Sequence, residues 1–198
     1  MLKKFVLAIS TFTLLSMPVL AENVIYMSGE AAQKRLEVAK QAIKANPKNA
    51  EELKVAGILM HQMNRKDANP EYVELAEKYL KDALKLNPSD FETMAWLGSV
   101  ITMKAMFESD PGKQTLFVKM GSKKMDKAIK KAPDNKVVRL TRANNSIELP
   151  AFLKRTRFAV EDFEVFLKLC ETQNCESYEI DEANTKLAQA KSIVASAD

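Results

Sequence analysis

Glycine is scarce in this 198-residue chain, with 5 in all, and no stretch alternates apolar with polar residues, so nothing reads as a β-strand. His61 is the only histidine and there are two cysteines, too few for a four-ligand zinc cage. No nucleophile stands in a pattern with a base, and the carboxylates are dispersed along helical faces, so neither catalysis nor a cofactor is expected. Lysines and acids are interspersed, with a formal net charge of +4. The chain lacks the basic stripe and the stacking aromatics that nucleic acid would require.

A long hydrophobic run is also missing. Phe5 to Leu15 is apolar apart from Ser10, Thr11 and Thr13, which is shorter than the ~20 residues that span a bilayer. With Lys3 and Lys4 before it and Val19-Leu20-Ala21 after it, the stretch reads as an export signal over residues 1–21, cleaved before Glu22. The first cysteine is Cys170, so no lipid anchor is expected at the cleavage point. The remaining 177 residues, 22–198, read as a single domain, long enough to bury roughly two thirds of its unfolded surface. A lysine-led signal of this length points to a soluble protein of the bacterial periplasm with no membrane anchor after cleavage. In such an oxidising compartment Cys170 and Cys175, with four residues between them, are expected to close a disulfide.

What is present is a repeat. AIKANPKN, ALKLNPSD and AIKKAPDN end at Asn49, Asp90 and Asn135. Each has an alanine five residues before a proline (Ala42/Pro47, Ala83/Pro88, Ala128/Pro133) and a small residue ten after it (Gly57, Gly98, Ala143). The prolines lie 41 and 45 residues apart, a period that signals stacked helical pairs. Helix punctuation agrees. Asn49 with Glu52 and Ser89 with Glu92 have capping-box spacing, and Asn69-Pro70 and Asp110-Pro111 place an N-cap before a proline at the first helical position. Leu149-Pro150 is expected to open a helix without the cap. The map is a lone helix near 29 to 45, three pairs (49–64 with 70–87, 90–108 with 111–132, 135–149 with 150–170), and a closing helix near 178 to 195.

Over residues 29 to 171 this pattern resembles the tetratricopeptide repeat family. The second helices show its alanine-rich packing signature as Ala76, Ala83 and Pro88, then Gly121, Ala128 and Pro133. The first helices show its small residue at the close crossing as Ala56-Gly57 and Leu97-Gly98, and Ala159 with Phe163 matches its alanine and aromatic pair. Family units are 34 residues long, whereas these are longer by 7 and 11, the excess falling between the helices of a pair; Arg35 stands where an alanine is expected. The resemblance implies an all-α, right-handed solenoid of antiparallel pairs, with an N-terminal half-repeat and a C-terminal cap. It implies a scaffold or adaptor that holds a partner protein or peptide in a concave groove.

By position in the repeat, that groove is lined by Lys54, Ile58 and His61, by Ala95, Ser99 and Thr102, and by Leu140, Asn144 and Ile147. Lys54 and Asn144 match places where family members clamp a peptide carboxylate, since a cation and an amide both donate to its oxygens. The third unit gathers Arg139, Arg142, Asn144, Asn145, Arg155 and Arg157 in a chain that otherwise prefers lysine. Planar guanidinium groups suit carboxylates and phosphates, which makes these residues candidates for an acidic peptide or small anionic ligand. Glu148, Glu161, Asp162 and Glu164 are close enough in sequence to claim the arginines internally. Met60, His61, Met63, Met103 and Met106 offer soft ligands for Cu(I), although three-residue spacing is also what a helical core stripe gives.

Overall fold

A computed structural model describes residues 24–64 and 69–196; the expected export signal, residues 1–21, lies outside them. Among the described residues there are eight α-helices and no strand: α1 Gly29–Ala45, α2 Ala50–Asn64, α3 Pro70–Leu86, α4 Phe91–Met103, α5 Pro111–Lys131, α6 Lys136–Glu148, α7 Thr156–Cys170 and α8 Ser177–Ala195. None of these helices is long and apolar enough to cross a membrane. Consecutive helices pack against one another, most extensively α2 with α3, α4 with α5 and α6 with α7. In addition α4 meets both α2 and α6 directly.

Caps set most of the starts. The Asn69 side chain accepts from the Glu71 amide at 2.9 Å, and that of Asp110 from the Lys113 amide at 2.8 Å, each ahead of a proline at the first helical position. Asn49 accepts from the Glu52 amide at 3.2 Å, but the Glu52 carboxylate does not return to close a box. It takes a two-pronged contact from Arg35 at 2.7 and 3.0 Å, which ties α1 to α2. Ser89 is not the cap of α4 either; Asp90 accepts from the Thr93 amide at 2.9 Å, and Ser89 donates to Asn87. The largest departure is at Pro150, which opens only the short 3₁₀ turn Ala151–Leu153. Lys154 follows in the left-handed region at φ 53°, so α7 starts at Thr156. With no capping side chain at Leu149, the proline favours a turn over a helix start.

The small residues sit where the helices cross. Ala56, Ala76, Ala83, Ala128 and Ala159 are buried, as is Phe163. At the α4–α5 crossing Gly98 faces Gly121 so closely that a Cβ on Gly98 would lie 2.7 Å from the Gly121 carbonyl oxygen. Two glycines there let the backbones touch. The extra length of the second unit is also accounted for. Beyond Met103 the chain tightens into a 3₁₀ turn, Lys104–Phe107, whose first residue reaches back to Glu77 on α3 at 2.7 Å.

Cys170 and Cys175 form a disulfide with Cα atoms 5.4 Å apart, closing the turn between α7 and α8. So short a loop gains about 2 kcal/mol from cross-linking. Replacing both cysteines by serine is therefore expected to leave the helical content unchanged and to speed amide exchange around 170–178 while α2–α5 stay protected, which hydrogen-exchange mass spectrometry can resolve.

Candidate functional site

Helices α2, α4 and α6 share one feature, a cavity of about 640 Å³ lined from α2 by His61 and Gln62, from α4 by Trp96, Ser99 and Thr102, and from α6 by Leu140, Thr141, Asn144 and Asn145. The elements reach it because α4 lies in contact with both α2 and α6. Their alignment is fixed at the opposite end by Glu92, whose carboxylate accepts from Lys54 of α2 at 3.1 Å and from Asn135, the cap of α6, at 2.8 Å. One acid on the middle helix thereby links all three units.

A polar relay crosses the cavity wall. His61 Nε2 lies 2.9 Å from Ser99 Oγ, and the His61 ring meets Trp96 edge-on at 5.2 Å. Asn145 Nδ2 donates to Thr102 Oγ1 and, at 3.4 Å, to Ser99 Oγ. Thr102 passes its own proton to the Ser99 carbonyl at 2.7 Å. Two atoms of this wall, Trp96 Nε1 and Asn145 Oδ1, are buried with no hydrogen-bond partner. Buried polar groups are nearly always satisfied, and these two, which have no accessible surface, are exceptions within the packed wall.

The remaining wall is the chain's own N-terminal segment. Ile25, Tyr26, Met27 and Ser28 also line the cavity, Val24–Tyr26 being a single 3₁₀ turn. Gln62 donates its side-chain amide to the Ile25 carbonyl at 2.6 Å. The Tyr26 ring meets Tyr178 of α8 edge-on at 5.0 Å. Burial, then the charges of Glu179 and Glu182, push the Tyr26 phenol well above its ordinary value, so it stays protonated and can hydrogen-bond to Glu179. This strap joins α2 to the last helix.

The residues singled out in the sequence distribute unevenly around the cavity. Asn144 and Asn145 line it, together with His61, Ser99, Thr102 and Leu140. Ile58 and Ala95 are core residues. Lys54 is held among Glu92, Asp90 and Glu51 at 3.1, 3.5 and 3.9 Å. Burial lowers its proton affinity, but those carboxylates outweigh the effect and hold the Lys54 ammonium above its ordinary value. Asn144 accepts from Lys186 of α8 at 2.7 Å. Lys54 and Asn144 are therefore each engaged within the chain rather than set together as a carboxylate clamp.

The arginines do not line the cavity. Arg139 and Arg142 are buried and converge on Asp162, whose side chain has no exposed surface. Arg142 Nε and Arg139 Nη1 approach its two oxygens at 2.6 and 2.7 Å. Glu161 lies 3.2 Å from Arg139 and 3.3 Å from Arg142. Asp126 of α5 takes Arg142 at 3.1 Å and Arg155 at 2.8 Å. Burial pushes the Asp126 carboxyl up, but the hydrogen bonds and charges of Arg155 and then Arg142 outweigh it and hold it below the usual range. Arg155 and the exposed Arg157 also flank the Phe158 ring, their guanidinium carbons 4.2 and 4.9 Å from its centroid. The arginine-rich stretch thus knits α5, α6 and α7 together. Among the soft candidates, Met60 is core, the Met103 thioether accepts from Asn64 at 3.0 Å, and Met106 is 70% exposed at the cavity rim.

Comparison of the chain with family models, with curated proteins and with solved structures finds no match. Function has to be argued from the cavity itself. Sequence reasoning missed Trp96, Gln62 and the strap. Their signal was weak, because a lone tryptophan on a buried helix reads as core and a stretch as short as Val24–Met27 carries no period.

Proposed function

We propose that this chain is an exported, tetratricopeptide-like solenoid that works in the bacterial periplasm as a binding scaffold or adaptor, holding a segment of a partner protein in the groove between its first helices. The observation that carries this reading is the cavity. Its volume lies in the range of binding sites, and its walls come from all three helical pairs rather than from one loop. Stacked helical pairs present such a surface by construction. The wall carries hydroxyl, amide and ring groups, apolar side chains and two carboxylates, Glu148 and Glu182, a mixture that suits recognition of a peptide. The small-anion alternative is the weaker one, since Arg139, Arg142 and Arg155 are engaged by Asp162, Glu161 and Asp126 and the exposed Arg157 lies over Phe158, all of them away from the cavity.

Site-specific photo-crosslinking tests this in cells. A photoreactive residue in place of Met106, exposed at the rim, is expected to trap one discrete protein. The same residue in place of Lys123, exposed on α5 and away from the cavity, is expected not to trap it. Identical products from both positions, or none from either, would overturn the scaffold reading.

A further inference from the structure

The chemistry of the bound segment follows from what already sits on the wall. Val24, Ile25 and Met27 pack against the core cluster built by α1 to α4, and Gln62 holds a main-chain carbonyl of that same segment. The site therefore binds peptide within its own chain. It does so weakly. The 3₁₀ turn Val24–Tyr26 contains no fully buried residue; beyond the partial packing of Val24 and Ile25 it is held by the Gln62 amide, the edge-on contact of Tyr26 with Tyr178, and the hydrogen bond of Tyr26 to Glu179. Segments with few buried apolar contacts open at low cost.

Electrostatics narrow the ligand further. The ionisable acids and bases on the lining, apart from His61 and Tyr26, are Glu148 and Glu182, both carboxylates. Glu182 is paired with Lys186 at 2.5 Å, the lining contributes no lysine or arginine that would favour an acidic peptide, and the segment already held there, Val24–Met27, carries no charged residue.

We propose that the partner contributes an uncharged, apolar–aromatic peptide segment, and that Val24–Met27 is its intramolecular stand-in, displaced when the partner docks between α2 and α8. This rests on the scaffold reading and specifies both its ligand class and its control. The strap competes for the site, so the apparent affinity is the intrinsic one reduced by the fraction of chains whose strap is open.

The probe is the capped hexapeptide Asn-Val-Ile-Tyr-Met-Ser, the sequence of residues 23–28. It is titrated into the full-length chain while following the emission of Trp96, the only tryptophan. Tyr26→Gly is expected to bind it about tenfold more tightly than the parent, because the internal competitor is loosened. The double variant Ile25→Ser, Met27→Ser should do the same by a different route. Adding Gln62→Ala to Tyr26→Gly should weaken binding about fivefold, the loss of one hydrogen bond to a main-chain carbonyl. A hexapeptide with aspartates in place of its valine and isoleucine should not bind.

Equal affinity for parent and strap variants would overturn the proposal, as would binding of the acidic peptide or no binding by any variant that retains the parent's helical circular dichroism. Dimerisation of Tyr26→Gly in gel filtration would also overturn it, by showing that a second copy supplies the segment. If Met106 still traps a discrete partner while the hexapeptide fails, the scaffold reading stands and only this inference falls.

Discussion

Asp162→Ala is expected to lower the stability of the chain by about 3 kcal/mol, the low end of what breaking a buried ion pair costs. For a chain of this length that corresponds to a drop of about 6–12 °C in melting temperature, measurable by circular dichroism. The carboxylate has no exposed surface and receives Arg139 and Arg142, whose side chains are 9% and 5% exposed. Removing it strands two guanidinium groups away from water. The low end applies because neither is left bare: Arg142 keeps Asp126 and Glu161, and Arg139 keeps Glu161 and donates to the Pro133 carbonyl at 2.7 Å.

The cluster nonetheless carries a desolvation cost. Burial pushes the Asp162 carboxyl above its ordinary value, and the hydrogen bonds and charges of Arg142 and Arg139 offset only part of that. Arg142 is raised in turn: burial lowers it, but the hydrogen bonds and charges of Asp162 and Asp126 outweigh that. Desolvation is thus large on both sides of the pair, which is the circumstance in which an apolar replacement does as well as the ions. The triple change Arg139→Met, Arg142→Leu, Asp162→Leu should therefore recover most of what Asp162→Ala loses. Failure of the triple variant to recover would assign the cluster a role beyond mutual neutralisation. A single variant no less stable than the parent would mean the arginines are not held as described.

That cluster also shows where the sequence is legible and where it is not. The residue types in the third unit were informative, because arginine in place of lysine indicates planar pairing with a carboxylate. Whether the carboxylate is internal depends on α7 lying beside α6, and on Asp126 arriving from α5, 16 residues before Arg142. Only the packed structure brings those together. Helix starts at Pro70 and Pro111 were readable because a cap and a proline act locally. The late start of α7 was not, because Lys154 in a left-handed conformation leaves no mark in composition. At the cavity, Asn144, His61, Ser99 and Thr102 follow from repeat position, and Asn145 from the polar cluster of the third unit. The strap does not, since its contacts to Gln62 and Tyr178 span 37 and more than a hundred residues.

Gly121→Ala should be among the costliest single-methyl changes in the chain, and two opposing effects decide its sign. Alanine inside a helix is favoured over glycine by roughly 0.5–1 kcal/mol. Against this, a Cβ on Gly121 would overlap the Gly98 carbonyl oxygen and lie 2.8 Å from the Thr102 amide nitrogen, both backbone atoms of α4. Backbone cannot rotate away as a side chain can, so α4 and α5 must separate, at a cost of about 3 kcal/mol. The net expectation is a loss of about 2 kcal/mol, or 4–8 °C in melting temperature. Gly57→Ala is the control. There the new methyl would strike chiefly the Leu80 side chain, at 2.5 and 2.8 Å, which can change rotamer, and it lies 3.3 Å from the Ala76 carbonyl oxygen. The loss should be smaller. The two variants should differ in function as well, because the residue displaced by Gly121→Ala includes Thr102, which receives the Asn145 amide in the cavity wall. Gly121→Ala should weaken capture of the partner through Met106, and Gly57→Ala should leave it intact. Equal effects of the two on stability would show that α4 and α5 do not meet backbone to backbone, and the position assigned to the α4 wall of the cavity would fall with that contact.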